Sequence, residues 1–510
     1  MYAIIQGFYK ALKRGERVYE KKYAAMVLAG IMAITLAGGT GCGKSAGDEK
    51  KTKLDPKNPV SLTIWHYYNG AQQAMFDKLV KEFNSSVGKE EGIYVESCTQ
   101  GSVSDLEQAI QSSLNEEVGA DKLPDMFSSY SDTACAVQEK GMLADLSKYF
   151  TEEELSKYVD AYIQEGYFSE DGALYLFPVA KSTEITMINK TDWEPFAEAV
   201  GVTTEDLETT EGITRTAEKY YEWTDAQTPD VPDDGKAFYG RDSISNYFII
   251  GMKQMGKDIF EVKDGKVTFH TDKELIRRLW DNYYVPYVKG YFASFGKFRS
   301  DDVKTGDILA YTGSTSSAVY FPDTVEKEDE SYNIDYIVCN PPVMEGGENI
   351  KVQQGAGMAV TSSDETHEYA ASVFLKWFTG KEQNLRFVCE SSYMPVLKEA
   401  NSIEALDLTI KENNIEVNSK VYDCFSEVMK DFDKTSFYKP KNFQNSYDVR
   451  KVLDYSLADR AEADRASAEA AVKAGISREE ALSRYLTDEN FESWYKEFCD
   501  ELTAASQAKN

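Results

Sequence analysis

The three histidines of this 510-residue sequence are the side chains best suited to acid–base or metal chemistry, and they stand far apart at positions 66, 270 and 367. A metal-dependent hydrolase needs such residues grouped, and no H-E-x-x-H motif occurs. The seven cysteines form no C-x-x-C pair and have no histidine at metal-ligand spacing. We therefore predict no catalytic residue, no metal site and no cofactor.

A phosphate-binding pattern, G-x-x-x-x-G-K-S/T, is present at residues 38–45. A loop of this kind must open a helix whose first N–H groups face the phosphates. The following residues 46–56 are charged, lack an apolar stripe and end in a proline, which is typical of a solvated tether. We therefore expect no nucleotide site.

Residues 1–41 have the layout of a secretory signal peptide. A basic region runs from Lys10 to Lys22, and residues 23–41 carry no charge. The uncharged run is marginal in length for a permanent membrane span, and small residues lead directly into Cys42. This arrangement resembles a lipobox, in which the cysteine is acylated and becomes the new amino terminus. We expect a lipid anchor at Cys42 that holds the chain on the outer face of the cytoplasmic membrane; the alternative is an uncleaved membrane anchor.

The charge balance excludes one class of partner. The 86 acidic and 56 basic residues give a net charge of −30, which repels phosphate backbones, so we expect no nucleic acid to bind. A hydrophobic fraction of 42% is that of a folded globular protein. The remaining cysteines, at 98, 135, 339, 389, 424 and 499, could form three disulfides or stay as thiols, and the sequence favours neither.

The apolar spacing predicts alternating strands and helices from residue 61 onward. Predicted strands are 61–67, 92–99 and 124–130, and predicted helices include 103–118 and 134–140. This alternation predicts an α/β fold with a doubly wound parallel sheet, in which ligands bind beyond the carboxyl ends of the strands. Beyond residue 400 the chain is predicted to be helical, with a solvated amphipathic helix over 456–486 broken at Gly475.

Several short stretches, in a fixed order between residues 60 and 400, carry a family resemblance. They are 62–66, 124–127, 141–146, 177–180, 189–190, 306–310, 312–314, 355–360 and 392–395. Because it contains these stretches in this order, the chain resembles the extracellular solute-binding proteins of the family that includes maltose-binding and glycerol-3-phosphate-binding proteins. Each stretch alone is weak, whereas their common order is specific.

The resemblance implies a two-lobed, periplasmic-binding-protein-like fold of type II with about three crossings between the lobes, expected near 174–189, 335–342 and 389–396. The implied organisation is a signal peptide at 1–41, a tether at 42–58, an N-terminal lobe of 59–180 and 340–390, and a C-terminal lobe of 181–339 and 391–510. Ligand would be trapped between the lobes as they close.

The resemblance also implies which residues line the cleft between the lobes. They are Trp65, His66, Tyr67 and Asn69 at the first strand; Ser129, Tyr130 and Asp132 at the third; Ser182 and Thr183 at the first crossing; Gly313, Ser314, Thr315 and Ser316; Gln354 with Gly355; and Tyr393. Sugar-binding relatives often place a tryptophan or an acidic residue where Ser129 and Ser182 stand here.

The implied function is that of a monomeric, non-enzymatic subunit of an ABC importer, which captures a carbohydrate and delivers it to the membrane permease. Two alternatives remain open. The same fold could bind a phosphorylated polyol such as glycerol-3-phosphate, for which Lys181 is the basic residue at the crossing. An anchored glycan-degrading enzyme would instead need two carboxylates about 5–10 Å apart in the cleft.

Overall fold

The computed structural model describes residues 54–507, apart from residues 170, 264 and 329. The predicted signal peptide, Cys42 and most of the predicted tether lie outside the described residues. Within residues 54–507 no helix is both long and apolar enough to cross a membrane.

The strands of the described chain form a five-stranded sheet, a four-stranded sheet and three two-stranded sheets. In chain order they are β1 (Val60–His66), β2 (Ile93–Thr99), β3 (Met126–Ser129), β4 (Leu176–Pro178), β5 (Glu184–Asn189), β6 (Tyr239–Arg241), β7 (Phe260–Lys263), β8 (Lys266–Phe269), β9 (Ala310–Ser314), β10 (Thr324–Glu326), β11 (Ser331–Asn333), β12 (Tyr336–Cys339), β13 (Ile350–Val352), β14 (Gly357–Val360) and β15 (Ser436–Tyr438).

The helices separate and cover these strands. They are α1 (Gly70–Ser85), α2 (Val87–Glu91), α3 (Val103–Leu114), α4 (Ser131–Glu139), α5 (Glu152–Leu155), α6 (Asp160–Gln164), α7 (Lys190–Val200), α8 (Thr210–Asp225), α9 (Ile244–Gln254), α10 (Lys273–Val288), α11 (Arg299–Thr305), α12 (Glu365–Phe378), α13 (Lys381–Ser391), α14 (Ile403–Asn413), α15 (Ser419–Met429), α16 (Ser446–Lys473), α17 (Arg478–Ser483) and α18 (Asp488–Ser506).

The first sheet has the order β2-β1-β3-β14-β4. Strands β1, β2 and β3 are parallel, as the alternation of strands and helices predicted, whereas β14 enters antiparallel between β3 and β4. The second sheet has the order β12-β5-β9-β6, with β6 parallel to β9 and β5 antiparallel to both of its neighbours. The carboxyl ends of β3 and β9 are the strand ends nearest the site described below.

Local sequence explains where the early helices begin and which face they bury. In α1 the apolar residues at helical spacing are fully or almost fully buried; they are Phe76, Leu79, Val80 and Phe83. Helix α3 begins after Ser102, whose hydroxyl accepts a hydrogen bond from the Asp105 N–H at 3.1 Å. Helix α16 ends just before Gly475, whose φ of +94° is a left-handed conformation that favours glycine.

Buried apolar side chains form two hydrophobic cores. The first lies around the five-stranded sheet and α1, α12 and α13, and includes Phe76 and Phe374. The second includes Trp280 of α10 and Trp494 of α18, whose ring centroids are 4.9 Å apart. Helix α16 also contributes Leu457 to this core, so the stretch predicted as a solvated helix is buried along one face. The apolar residues of α16 are widely spaced, which hides this face in the sequence.

The segments that connect the two sheets lie side by side. Ser182 forms an antiparallel bridge with Gln354, and Lys181 forms one with Met394. The second of these segments, at 353–356, follows the predicted crossing at 335–342 by more than ten residues. Buried residues between 396 and 428 still pack in the first core, and the chain joins the second core at Phe443. The exact lobe boundaries remain a prediction.

All six cysteines in the described part of the chain are free thiols. Cys389 and Cys424 are buried, and burial raises the pKa of Cys389 to about 12. These two thiols therefore behave as small apolar core residues.

Candidate functional site

A cleft of about 400 Å³ lies where the connecting segments meet the ends of the two sheets. This volume is within the range of about 300–1,000 Å³ found for small-molecule sites. The lining residues come from both sheets, the connecting segments and the tail. They are Glu107, Tyr130, Asp132, Ser182, Asn246, Ile249, Phe260, Ser314, Ser316, Val352, Gln353, Gln354, Gly355, Tyr393, Lys439, Pro440, Lys441, Asn442, Ser446, Tyr447, Arg450 and Leu453.

About half of the sequence-predicted site residues line this cleft. They are Tyr130, Asp132, Ser182, Ser314, Ser316, Gln354, Gly355 and Tyr393. Gly355 has a φ of +88°, and a Cβ there would lie 2.9 Å from the Ala180 carbonyl oxygen. A glycine is needed at this position because two connecting segments pass too closely for a side chain.

The residues predicted at the end of β1 do not line the cleft. Trp65 is buried within the five-stranded sheet, and Asn69 is exposed just before α1. His66 is fully buried against Tyr68 and Phe76, and burial lowers its pKa to about 4, so it is neutral. The alternation of side chains along a strand sends His66 into the core.

Tyr67 stands directly behind the cleft. Its hydroxyl lies 3.2 Å from the hydroxyl of Tyr393, which does line the cleft. Tyr67 therefore fixes the orientation of a cleft residue without lining the cleft itself.

Four further predicted residues have local structural roles. The Ser129 hydroxyl donates to the Tyr130 carbonyl oxygen at 2.8 Å. The N–H of Thr315 donates to the Thr183 carbonyl oxygen at 2.8 Å, and both threonines are buried. A Cβ at Gly313 would lie 2.5 Å from the Asp242 carboxylate, so Gly313 packs against that side chain. None of the four appears among the residues that line the cleft.

Both aromatic rings and polar groups line the cleft. Tyr130, Phe260, Tyr393 and Tyr447 supply the rings. The Lys439 ammonium lies 5.8 Å from the centroid of the Tyr130 ring. Flat apolar faces next to hydroxyl, amide and charged groups suit a polyhydroxylated ligand with apolar C–H surfaces.

A single buried carboxylate holds the connecting segments together beside the cleft. Glu165 accepts hydrogen bonds at 2.6 Å from Lys181, Gln353 and Lys439, which belong to two connecting segments and the tail. Burial raises the pKa of Glu165, but the positive charges of Lys181 and Lys439 outweigh burial and hold it well below the usual range. Lys181 also donates to the Gly355 carbonyl oxygen at 2.8 Å, so two of the three N–H donors of this buried ammonium bond to the protein.

A second polar network reaches the cleft from the four-stranded sheet. Glu184 of β5 pairs with Arg241 of β6 and accepts a hydrogen bond from the Asn246 amide at 2.9 Å. The amide oxygen of Asn246 accepts a hydrogen bond from Arg450 Nη2 at 2.9 Å. Arg450, at the start of α16, is therefore held at the cleft by residues of the second sheet.

The family model of bacterial extracellular solute-binding proteins matches residues 78–413. The chain belongs to this family. A search of curated proteins found no relative of this solute-binding protein.

Solved structures share the fold of this solute-binding protein at low sequence identity. UgpB of Mycobacterium tuberculosis in complex with glycerophosphocholine gives a TM-score of 0.60 at 16% identity, over 88% of this chain and 98% of the other. The cyclic α-maltosyl-1,6-maltose-binding protein of Arthrobacter globiformis gives 0.58 at 20% identity, over 86% and 100%. The maltose–maltodextrin-binding protein of Alicyclobacillus acidocaldarius gives 0.57 at 13% identity, over 87% and 100%. The predicted two-lobed α/β fold is confirmed.

The tail supplies a wall of the cleft that the sequence did not predict. Residues 439–453 contribute eight of the lining side chains, and they lie beyond residue 413, where the family match ends. The available signal was the polar run Lys439-Pro440-Lys441-Asn442 between a strand and a long helix. Such a run is equally typical of a solvated loop.

Two acidic side chains of the solute-binding protein face the cleft from the other side. Glu107 of α3 and Asp132 of α4 both line it, and Asp132 accepts a hydrogen bond from the Thr133 N–H at 2.9 Å. Burial and the negative charge of Asp132 raise the pKa of Glu107 to about 7. Glu107 is therefore partly protonated at neutral pH and can both donate and accept a hydrogen bond.

The raised pKa of Glu107 predicts a pH-dependent stability. Because the native state holds this proton more tightly than the unfolded chain, the group stabilises the fold at low pH, and that stabilisation is lost as pH rises from about 4.5 to about 7. The wild type should lose about 1–2 kcal/mol of unfolding free energy over this range, and Glu107→Gln should not show this loss. The expected loss is smaller than the full pKa shift implies, because part of the Glu107 side chain is solvated. The unfolding free energies of the wild type and of Glu107→Gln, measured at pH 5 and pH 8, test this prediction. An equal change with pH in the two proteins would contradict it.

Among residues 54–507, apart from the three undescribed positions, no group of three histidine, cysteine, aspartate or glutamate side chains is arranged to hold a metal ion.

Proposed function

We propose that this protein is the substrate-binding subunit of an ABC importer, lipid-anchored outside the cytoplasmic membrane, which captures a sugar or oligosaccharide and delivers it to the membrane permease. The observation that carries this proposal is the cleft of about 400 Å³, which is lined by aromatic rings together with hydroxyl, amide and charged groups. Membership in the extracellular solute-binding family supports the same role.

The position of the cleft supports capture by closure. It is lined by residues after β3, by residues after β9 and by two segments that connect the sheets. A ligand that contacts both lobes stabilises the closed form over the open one, and the permease can read that difference in population. The binding protein acts as a monomer in this proposal, because both lobes belong to one chain.

Thermal unfolding of the purified chain against a carbohydrate library tests the proposal. A ligand present at 100 times its dissociation constant stabilises the native state by about 2.7 kcal/mol, which is a measurable rise in Tm. Neutral and charged saccharides, peptides and divalent metals should be included as separate groups. Stabilisation by peptides or metals and by no saccharide would refute carbohydrate binding.

Glycan hydrolysis is the second candidate function, because Glu107 and Asp132 both line the cleft and the pKa of Glu107 is raised to about 7. A glycosidase needs a protonated carboxyl group and a carboxylate on either side of the scissile bond. We favour binding without turnover, since the family consists of binding proteins. Incubating the purified chain with each saccharide that raises its Tm should release no shorter sugar. Hydrolysis that Glu107→Gln abolishes would reverse this choice.

A phosphorylated polyol loses its sequence-based support, because Lys181 is fully buried and donates to Glu165 and to the Gly355 carbonyl oxygen. Lys181 also does not line the cleft, so a ligand there does not meet its ammonium. Any anionic group on the solute must be bound by other cations.

A further inference from the structure

The charged side chains in the cleft are separated by sign. Glu107 and Asp132 belong to α3 and α4, whereas Lys441 and Arg450 belong to the tail. Tyr130, which also lines the cleft, is close enough to both groups that Arg450, Glu107 and Asp132 all act electrostatically on its hydroxyl. A ligand in the cleft therefore meets an acidic wall, formed by Glu107 and Asp132, and a basic wall, formed by Lys441 and Arg450.

The two cations of the basic wall have unused hydrogen-bonding capacity. Lys441 makes no hydrogen bond or ion pair within the described part of the chain. Arg450 donates from Nη2 to Asn246 at 2.9 Å and to the Ser243 hydroxyl at 3.5 Å, and its Nε lies 4.0 Å from Asp454, whereas its Nη1 contacts no acceptor among the described residues. Lysine and arginine are donors without acceptor capacity, so the ligand must present an acceptor here.

Lys439, which lies beside them, is already neutralised. Its ammonium bonds to Glu165 at 2.6 Å, and Glu165 also neutralises Lys181. The acidic wall is weaker than two full charges, because Asp132 lies in the first turn of α4, where the helix dipole offsets a negative charge. A negatively charged group of a ligand is therefore stabilised most where it contacts the basic wall.

The net charge of the whole chain makes this local arrangement necessary for an anionic solute. At −30 the protein repels anions at long range, so an anion binds only where cations contact it directly. Lys441 and Arg450 provide such a place inside the cleft, and a carboxylate or phosphate accepts from both more strongly than a hydroxyl does.

We infer that the solute is an acidic carbohydrate, whose carboxylate or phosphate group binds Lys441 and Arg450 of the tail while its neutral hydroxyl groups face Glu107 and Asp132. This inference rests on the proposed carbohydrate-binding function and specifies its substrate class. The tail wall, which lies outside the family match, then determines which saccharides are selected.

Calorimetric titration of the full chain with three sets of probes tests the inference. The probes are uronic-acid oligosaccharides, the same oligosaccharides with their carboxylates methyl-esterified, and sugar phosphates. Acidic probes should bind at least about tenfold more tightly than the neutral esters, since a charge-assisted hydrogen bond adds about that much. Preference for the uronates or for the phosphates identifies the source of the charge.

Two variants and a matched control separate the basic wall from general charge effects. Lys441→Gln and Arg450→Gln should each weaken acidic probes by about tenfold and leave the neutral esters unchanged. Lys473→Gln removes the same charge from the last residue of α16, where the side chain is exposed and does not line the cleft, and it should change the affinity for neither set of probes. Lys441 is exposed, so its variant folds normally even if Arg450→Gln does not.

The outcomes distinguish this inference from the proposed function. Equal affinity for acidic and neutral saccharides, with no change in the Lys441 variant, overturns the acidic-solute inference and leaves carbohydrate binding intact. Failure of every saccharide, neutral and acidic, to bind overturns both.

Discussion

Glu165→Gln should destabilise the protein by about 3–5 kcal/mol, because it leaves the buried ammonium of Lys181 without a counter-charge. The same carboxylate holds Lys439 and Gln353, so the connecting segments and the tail also lose their common partner. Denaturant unfolding of the variant and the wild type measures the loss.

Two comparisons make the Glu165 result specific. Glu326→Gln removes an exposed carboxylate that pairs with Lys304 at 3.2 Å, and should cost less than about 1 kcal/mol. Adding Lys181→Met to Glu165→Gln should restore much of the lost stability, since the fully buried ammonium is then gone and the ammonium of Lys439, which is partly exposed, can be solvated. A Glu165 variant as stable as the Glu326 variant would contradict the role of this carboxylate.

Because the pKa of Glu165 is lowered, the stabilisation that this carboxylate provides depends on pH. Because Lys181 and Lys439 hold that pKa below its usual value, the stabilisation is fully present above about pH 4.5. It is lost as pH falls toward the lowered pKa. The difference in unfolding free energy between the wild type and Glu165→Gln should therefore become smaller as the pH falls below about 4.5, and it should stay constant above that pH.

Cys42→Ala should abolish retention of the protein in the membrane fraction or leave an uncleaved precursor there. Two acyl chains suffice for stable attachment, because each buried CH₂ contributes about 0.8 kcal/mol, whereas the predicted tether after Cys42 has no apolar stripe. Fractionation with intact-mass analysis of the wild type and the variant measures the change. Saccharide binding should be unchanged, since the residues that line the cleft all lie between Glu107 and Leu453.

Cys98→Ala is the matched control for the anchor, because Cys98 is an exposed free thiol of the described chain. It should leave both the mass of the acyl modification and the membrane retention unchanged. A wild-type protein that begins at Met1, or a cleaved one without lipid, would refute the anchor and leave the binding function untouched.

The early part of the fold could be predicted because its signals are local. The apolar residues of α1 recur at helical spacing, and Ser102 with Asp105 marks the start of α3. The pairing of distant strands could not be predicted from local sequence. Nothing near β14 in the sequence shows that it inserts between β3 and β4, since strand pairing is decided by partners more than a hundred residues away.

Site residues at strand ends could be predicted from the sequence, whereas the burial of a side chain such as His66 or Lys181 could not. Tyr130 and Ser314 stand at the carboxyl ends of β3 and β9, which is where such folds bind ligands. His66 stands at a strand end too, but its side chain points into the core. Lys181 has the chemistry of an anion-binding residue, and its actual partner, Glu165, is recognisable only once the chain has folded.

The interleaving of distant segments has a consequence for export. The first core lacks the interior strand β14 until residues 357–360 arrive, and the second lacks Trp494 and Phe498 until almost the whole chain is made. A chain that crosses a membrane amino terminus first can therefore complete neither core on the way. In a chain exported by the predicted signal peptide, this order of segments delays the completion of both cores until translocation is nearly finished.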